Sequence, residues 1–545
     1  MNSTPRTVGR APDRRAATLV MACIGVFVAY FPITTVSVSL PVIQKALGAS
    51  TSDLSWVSDA FVLPVAALIL TAGVFGDVHG RKKVFQAGLA LCAAGAAVSL
   101  CAQSITMIWI GQALSGAGAA ALLPMTLALI SHVVPDHRER GKFIGLWTTF
   151  LMGALAVGPL IAGTITAHAD WRWIFLLPIP LSLAAMAAGA RLLDDSRSPY
   201  PRKLDWPGQI TAAVAITALV YGVIEGGASS FTEPQVLVAL AFAVICGTAF
   251  VLAERRSDSP MLDLRIFRSP AFTGSTLVVM ISFLGLIGFF FVLSLYFGMV
   301  QQLSTLEAGL RLLMVTVMPL ILGAVFGRIA QRLSARLLIA GGLLIATVAL
   351  CTLTTIGIDT SFASLAWRLA LLGTGLGIAF PCITATAVGS VPPHQAGMAA
   401  AGNNAFRQVG AALGPAILGA LLTTKAVGAL PGHLTEQGLT GATGERITEA
   451  VDRGGLEAVA GMPLGADTGR ALHALSLSFV DGLHLCLVVS AVLMLCGAIV
   501  AAATLRSRAA APSVPAAGST DQVRAVDGVA RTGAPAAAST GPDRA

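Results

Sequence analysis

The stretch GVFGDVHGRKKV, residues 73–84, decides how this chain is to be read. It places an acid, a glycine turn and three consecutive cations between two apolar runs, 55–75 before it and 84–103 after it. Each run has the roughly 20 residues needed to cross a hydrocarbon layer about 30 Å thick. A short basic loop between two such runs is held on the cytoplasmic face. Gly73 and Gly80 allow close backbone approach and a tight turn at its two ends.

Outward from this loop the same alternation continues. The chain has 545 residues, 55% apolar and only 11% charged, with a mean hydropathy of +0.80. A soluble domain is about 25% charged, so this chain could not cover a soluble surface. That excludes most soluble enzymes, and disordered or fibrous chains as well. Fourteen windows of spanning length are found, the first at 17–40 and the last at 479–503. The expected fold class is an all-α polytopic membrane protein with 14 transmembrane helices. The first window follows Arg14 and Arg15, but it is too long for a removed leader and no small-residue cleavage site follows it.

Lys and Arg in alternating loops fix the expected orientation. On the side of the N-terminus there are 27, and on the other side 8. Both termini are therefore expected in the cytoplasm, which an even span count requires. The net charge of +8 is then a matter of topology, and no nucleic-acid partner is expected. All eight cysteines fall in apolar runs without paired or metal-like spacing, so they are read as reduced, packed thiols.

The two halves of the chain repeat one another. Gly116, Gly118 and Pro124 recur as Gly373, Gly375 and Pro381, an offset of 257. Gly158, Pro159 and Gly163 recur as Gly414, Pro415 and Gly419, an offset of 256. The opening stretch has a degraded partner, GRIAQRLSARLL at 327–338, offset by 254. The expected plan is a tail (1–16), a six-helix bundle (17–195), two inserted helices (196–255) and a second six-helix bundle (256–503). The second bundle carries a Gly-rich external loop at 426–474, and residues 504–545 are expected to be a disordered tail. Two pseudo-symmetric bundles in like orientation form a transporter architecture with its site between them near the midplane.

These residues carry a family resemblance. The chain resembles the major facilitator superfamily, and within it the fourteen-span drug:proton antiporters, over about 17–425 and 479–503. The loop 73–84 looks like the superfamily's loop signature, with Gly73, Asp77, Gly80, Arg81 and Lys82 at matching positions and Val78 departing from it. Gly158-Pro159-x3-Gly163 resembles the antiporter signature, linked in that family to export, although Ala162 stands for its second glycine. WRWIF (171–175) and NNAFRQVG (403–410) are further matches, the first read as an aromatic interface anchor. The resemblance implies that Asp77 faces the positive N-terminus of a helix in the other half and holds the inner gate shut. Arg407 would contact that gate, or else be a plain juxtamembrane arginine.

The departures bear on mechanism. Pro32 stands where the family has an Asp in its first span, and Gln112 where it has an Arg in its fourth. Few replacements are available. Asp59 (SWVSDAFVL) is either an interface-capping carboxylate or a proton or cation site facing the central cavity. Glu225, and the pair Asp481 and His484, read better as interface groups. Thr34, Thr35, Gln112 and Asn404 are expected as polar lining between spans 1, 2, 4 and 5 and spans 9, 10, 12 and 13. No Walker loop, His-Glu-x2-His or Gly-x-Ser-x-Gly is found, so no cofactor, metal or enzymatic activity is expected.

By resemblance, the chain is expected to be a monomeric secondary exporter in a bacterial plasma (inner) membrane. It would expel small amphipathic drugs or secondary metabolites, antibiotics among them, in exchange for protons. With Pro32 in place of an acid, neutral or weakly anionic substrates are favoured over multivalent cations. An uptake carrier of the same fold and a non-transporting receptor on a transporter scaffold are the alternatives.

Overall fold

The computed structural model describes residues 11–49, 51–134, 137–197, 205–228, 230–257, 259–329, 333–392, 395–454 and 467–505. Those residues are helical almost throughout, as a chain must be when every backbone donor and acceptor has to be satisfied away from water. The first six-helix group comprises α1 (Ala11–Leu47), α2 (Thr51–His79), α3 (Arg81–Leu100), α4 (Ile105–Val133), α5 (His137–His168) and α6 (Pro178–Leu192). Then come α7 (Trp206–Ala228) and α8 (Pro234–Arg256). The second group comprises α9 (Pro270–Leu295), α10 (Thr305–Ile329), α11 (Ala335–Leu353), α12 (Phe362–Gly389), α13 (Ala396–Glu436) and α15 (Thr468–Thr504), with the short α14 (Ala442–Gly454) before the last.

Among the described residues, thirteen helical segments are long and apolar enough to cross a membrane, against the fourteen expected. The fourteenth expected segment, 306–327, is helical as α10, part of whose side chains lie outside the described residues. The segment expected as an external loop is also different. α13 continues without interruption to Glu436, and α14 forms within 426–474, so much of the loop is helix. Of the expected disordered tail, residues 506–545 lie outside the described residues.

The packing has two-fold logic. α2 and α3 pack on α4, as α10 and α11 pack on α12. α1 packs on α5 and α6, as α9 packs on α13 and α15. The repeated glycines sit at the same contacts in both groups. A Cβ on Gly116 would strike the carbonyl of Phe61 in α2, and one on Gly373 would strike the carbonyl of Val315 in α10. Helices without a hydrophobic driving force between them associate through such small-residue contacts. The prolines inside helices pair as well: Pro64 with Pro319, Pro124 with Pro381 and Pro159 with Pro415.

The groups meet along two seams, α2 against α13 and α5 against α10. α7 lies on the first seam, packed on both α2 and α13, while α8 packs on α7 and exposes Val238, Val244 and Ile245. All eight cysteines are free; Cys23, Cys92 and Cys486 are buried as expected, but Cys101, Cys351 and Cys496 are exposed.

Candidate functional site: a central cavity between the two helix groups

The cavity, about 790 Å³ with its open mouth included, is lined from both groups: α1, α2, α4 and α5 on one side, α9, α10 and α13 on the other. Its wall is mostly apolar, with Val57, Phe61, Ile287, Phe290, Phe291 and Leu312 prominent. Asp59, Thr34 and Gln112 interrupt that wall, so three of the five expected lining residues meet here. Thr35 faces instead a smaller cavity of about 360 Å³ inside the first group, where Gln112 also lines. Asn404 is buried in α13 but lines neither space.

Asp59 is only 2% exposed, and among the described residues it has no hydrogen-bond or ion-pair partner. It is therefore not a carboxylate capping a helix at the membrane surface. An ionised group at such a depth costs roughly 2.5–3.5 kcal/mol on insertion scales, so an unpartnered acid here is a functional candidate by default. Thr34 is in the same condition, its hydroxyl buried and unpartnered. Its neighbours differ: the hydroxyls of Thr35, Ser37 and Ser39 each donate to the carbonyl four residues earlier, at 2.8, 2.6 and 2.9 Å. That back-bonding satisfies them within α1 and leaves Thr34 as the one free to reach a guest.

The Gly-Pro-Gly signature forms the α5 wall. Gly158 faces α1, where an added Cβ would collide with the Thr34 hydroxyl. Gly163 faces the other way and lies against the backbone of Leu306 in α10. Pro159 lines the cavity, and its carbonyl lies 2.8 Å from where a Cβ on Gly309 would be. One turn of α5 is thus pressed against both groups at once.

The loop 73–84 lies at the far end of α2. Asp77 is ion-paired with Arg81 at 3.0 Å within the loop itself. Gly80 has φ +111°, a backbone conformation open to glycine, and it ends α2 so that α3 can start at Arg81. The Lys82 ammonium donates to the Ala190 and Leu193 carbonyls at the end of α6, both at 2.8 Å. Gly73 faces α13, with Ala401 3.9 Å from an added Cβ. The loop therefore ties α2, α3 and α6 together and abuts the other group through Gly73. The degraded partner 327–338 falls partly outside the described residues.

Arg407 is neither at a helix end nor at the loop. It lies eleven residues into α13, about 16 Å from its start, and is 4% exposed. Its guanidinium lies 5.8 Å from the ring of Tyr30 in α1 and 5.4 Å from that of Phe283 in α9. Nε and one terminal nitrogen have no hydrogen-bond partner. It lines a third space, about 300 Å³, with Trp147, Thr148, Phe380 and Thr384, so α12 contributes here and not to the large cavity.

Other sequence candidates are accounted for locally. Asp481 and His484 do not pair with each other: Asp481 binds His433 at 2.9 Å, and His484 meets the Ile356 carbonyl at 2.7 Å. Early in α10, Arg311 donates to Gln301 and lies over Phe297 and Phe362. In WRWIF, Trp171 is buried under Arg172 and only Trp173 is exposed like an interface anchor. No sequence signal marks Tyr30 beneath Arg407, or the buried acids Asp205 and Glu254 where α7 and α8 converge. Their spacing along the chain is long and carries no local pattern. No group of three or more His, Cys, Asp or Glu suited to a metal occurs among the described residues.

The sequence model of the Major Facilitator Superfamily matches residues 22–415. The chain belongs to the Major Facilitator Superfamily. Its relatives in this superfamily include a tetracenomycin C resistance and export protein of Streptomyces glaucescens, 29% identical over 496 residues, 90% of this chain and 91% of the relative. A puromycin resistance protein of Streptomyces alboniger is 34% identical over 415 residues, 74% of this chain and 80% of the relative. A multidrug efflux pump of Mycolicibacterium smegmatis is 29% identical over 508 residues, 93% and 99% of the two chains. Among solved structures, the human organic anion transporter MFSD10 superposes with a TM-score of 0.59 over 90% of this chain and 99% of that one. At 13% identity that likeness concerns the superfamily fold alone.

Proposed function

We propose that this superfamily member is a secondary exporter of amphipathic drugs or secondary metabolites, driven by proton antiport through alternating access at the central cavity. The observation that carries the reading is Asp59: a buried, unpartnered acid in the wall of a mostly apolar cavity lined by both helix groups. Proton binding and release at Asp59 then alternates with binding of an apolar guest beside it. The relatives named for resistance and export support the direction of transport. So does the Gly-Pro-Gly turn of α5, which is pressed between the groups that must move. The excess of Lys and Arg on the N-terminal side supports cytoplasmic termini, which puts Asp59 in the outer half of the bacterial plasma membrane. The Asp77–Arg81 loop, abutting α13 through Gly73, is then the inner gate, and the unit is a monomer.

Energised efflux from cells expressing the protein tests this, with a panel of fluorescent and antibiotic substrates. Wild type is compared with Asp59→Asn, with and without a protonophore. Loss of efflux in both cases is the expected result. Efflux that survives the protonophore and the substitution removes proton coupling at Asp59 from the reading.

A further inference from the structure

The 300 Å³ space at Arg407 lies one layer away from the central cavity along the same helices. On α5 the large cavity is lined by Leu155 and the small one by Leu151. On α9 the corresponding residues are Ile287 and Phe283, and on α13 they are Ala411 and Arg407. Each step is four residues, a single helical turn of about 6 Å. Three helices from both groups make the same step together, so the small space is the layer next to the large one, toward the end that carries the loop 73–84.

That second layer holds a permanent cation without a counter-ion. Arginine stays protonated in proteins and offers five donors. Here Nε and one terminal nitrogen are unpartnered, and the side chain is more than nine-tenths buried. The rings of Tyr30 and Phe283 screen its charge, and the Tyr30 hydroxyl beside it is a neutral group that leaves that charge unbalanced. Thr148 and Thr384 are the other polar groups of the layer; the Thr148 hydroxyl is committed to the Ile144 carbonyl at 2.9 Å. The layer has therefore donors to give and no acid to receive them.

Resting on the exporter reading, we infer that Arg407 is an anion subsite: it takes the single carboxylate or phenolate of an amphipathic substrate whose apolar body fills the central cavity. A planar guanidinium matches a carboxylate bidentately, and such charge-assisted bonds are the strong ones. The distance is right for one molecule, since one helical turn separates a head group at Arg407 from a ring system at Ile287 and Ala411. Asp59, at the other end of the large cavity, stays clear of the anion and is left to the proton.

The test uses 4-(1-pyrenyl)butyric acid and its methyl ester, two probes with one apolar body that differ in a single charge. Binding to the purified full-length protein is read by tryptophan-to-pyrene energy transfer, and flux is read in everted vesicles. Wild type should bind the acid more tightly than the ester by roughly tenfold or more. Arg407→Gln should collapse that preference, and Arg407→Lys should restore part of it. The inference is overturned if wild type shows no preference, if Arg407→Gln retains it, or if acid and ester weaken equally in both variants. The two readings separate cleanly. Arg407-dependent binding without flux of either probe sinks the exporter reading and leaves the anion subsite. Proton-driven flux with no Arg407-dependent preference for the acid does the reverse.

Discussion

The two helix groups agree in their glycines and prolines and disagree in their polar residues. Gly116 and Gly373 bring α4 onto α2 and α12 onto α10 through the same contact with a backbone carbonyl. Asp59 and Arg407 have no such counterparts. At the offsets that pair the scaffold, 254 and 256, their mates are Leu313 and Leu151. Gln112, at 257, meets Leu369. The repeat thus preserves what shapes the bundles, Pro159 and Pro415 in the cavity wall included, and drops the polar groups beside them. Symmetry is a property of the packing, and chemistry enters where it is broken: an acid from one group in the central cavity and a base from the other in the layer beside it.

The sharpest way to break this comparison is to move the acid across it. Asp59→Leu combined with Leu313→Asp keeps the composition and transfers the carboxyl to the mate position. Energised efflux is expected to be lost, because the α10 wall of the cavity is formed by Leu312 and Thr316 and not by Leu313. Restored efflux would mean that the groups are interchangeable in function as well as in shape.

Exchanging the base gives the next effect. Leu151→Arg places a second unpaired charge in the Arg407 layer and should destabilise the purified protein by roughly 2.5–3.5 kcal/mol. Arg407→Leu should raise its stability by about 1 kcal/mol, since an unpaired buried charge is removed and only two ring contacts are lost. Thermal unfolding in detergent measures both, and a fall in melting temperature for Arg407→Leu would mean that Arg407 is structural. The scaffold should behave oppositely. Gly116→Ala and Gly373→Ala both overpack a helix contact, each expected to cost about 1–3 kcal/mol. If one is tolerated and the other is not, the glycine symmetry is only apparent. The smallest effect is expected at the loop, where Asp77→Asn removes a partly exposed ion pair of adjacent turns, worth about 1 kcal/mol or less. A change in unfolding much larger than that would show that Asp77 holds something beyond Arg81.

The contrast also explains what could be read from the sequence. Span number, basic loops and paired glycines are local or periodic signals, and they led to the superfamily and to a site between the groups. Asp59 was visible as an acid inside an apolar run. The depth of Arg407 was not, because α13 is 41 residues long and hydropathy does not say where along such a helix a cation lies. The continuation of α13 to Glu436 was hidden by the glycines and proline of 426–436, residues that weaken a helix in water. The third-dimension contacts left no trace either: His433 with Asp481, and Arg407 over Tyr30, join residues that no short pattern connects.

One further consequence concerns α7. Gln209 in α7 donates to the Ala67 carbonyl of α2 at 2.8 Å, and Tyr221 packs on Trp56 with ring centres 6.0 Å apart. These two attachments, more than three turns apart, fasten α7 to the first group, yet α7 also lies on α13 of the second. If the groups rock against each other, α7 can be at rest relative to only one of them. Its fastenings to α2 choose which, so α7 and α8 ride with the first group as ballast. The α7–α13 contact becomes the slip plane, a bearing surface on one flank of a machine whose opposite flank, α5 on α10, runs without one.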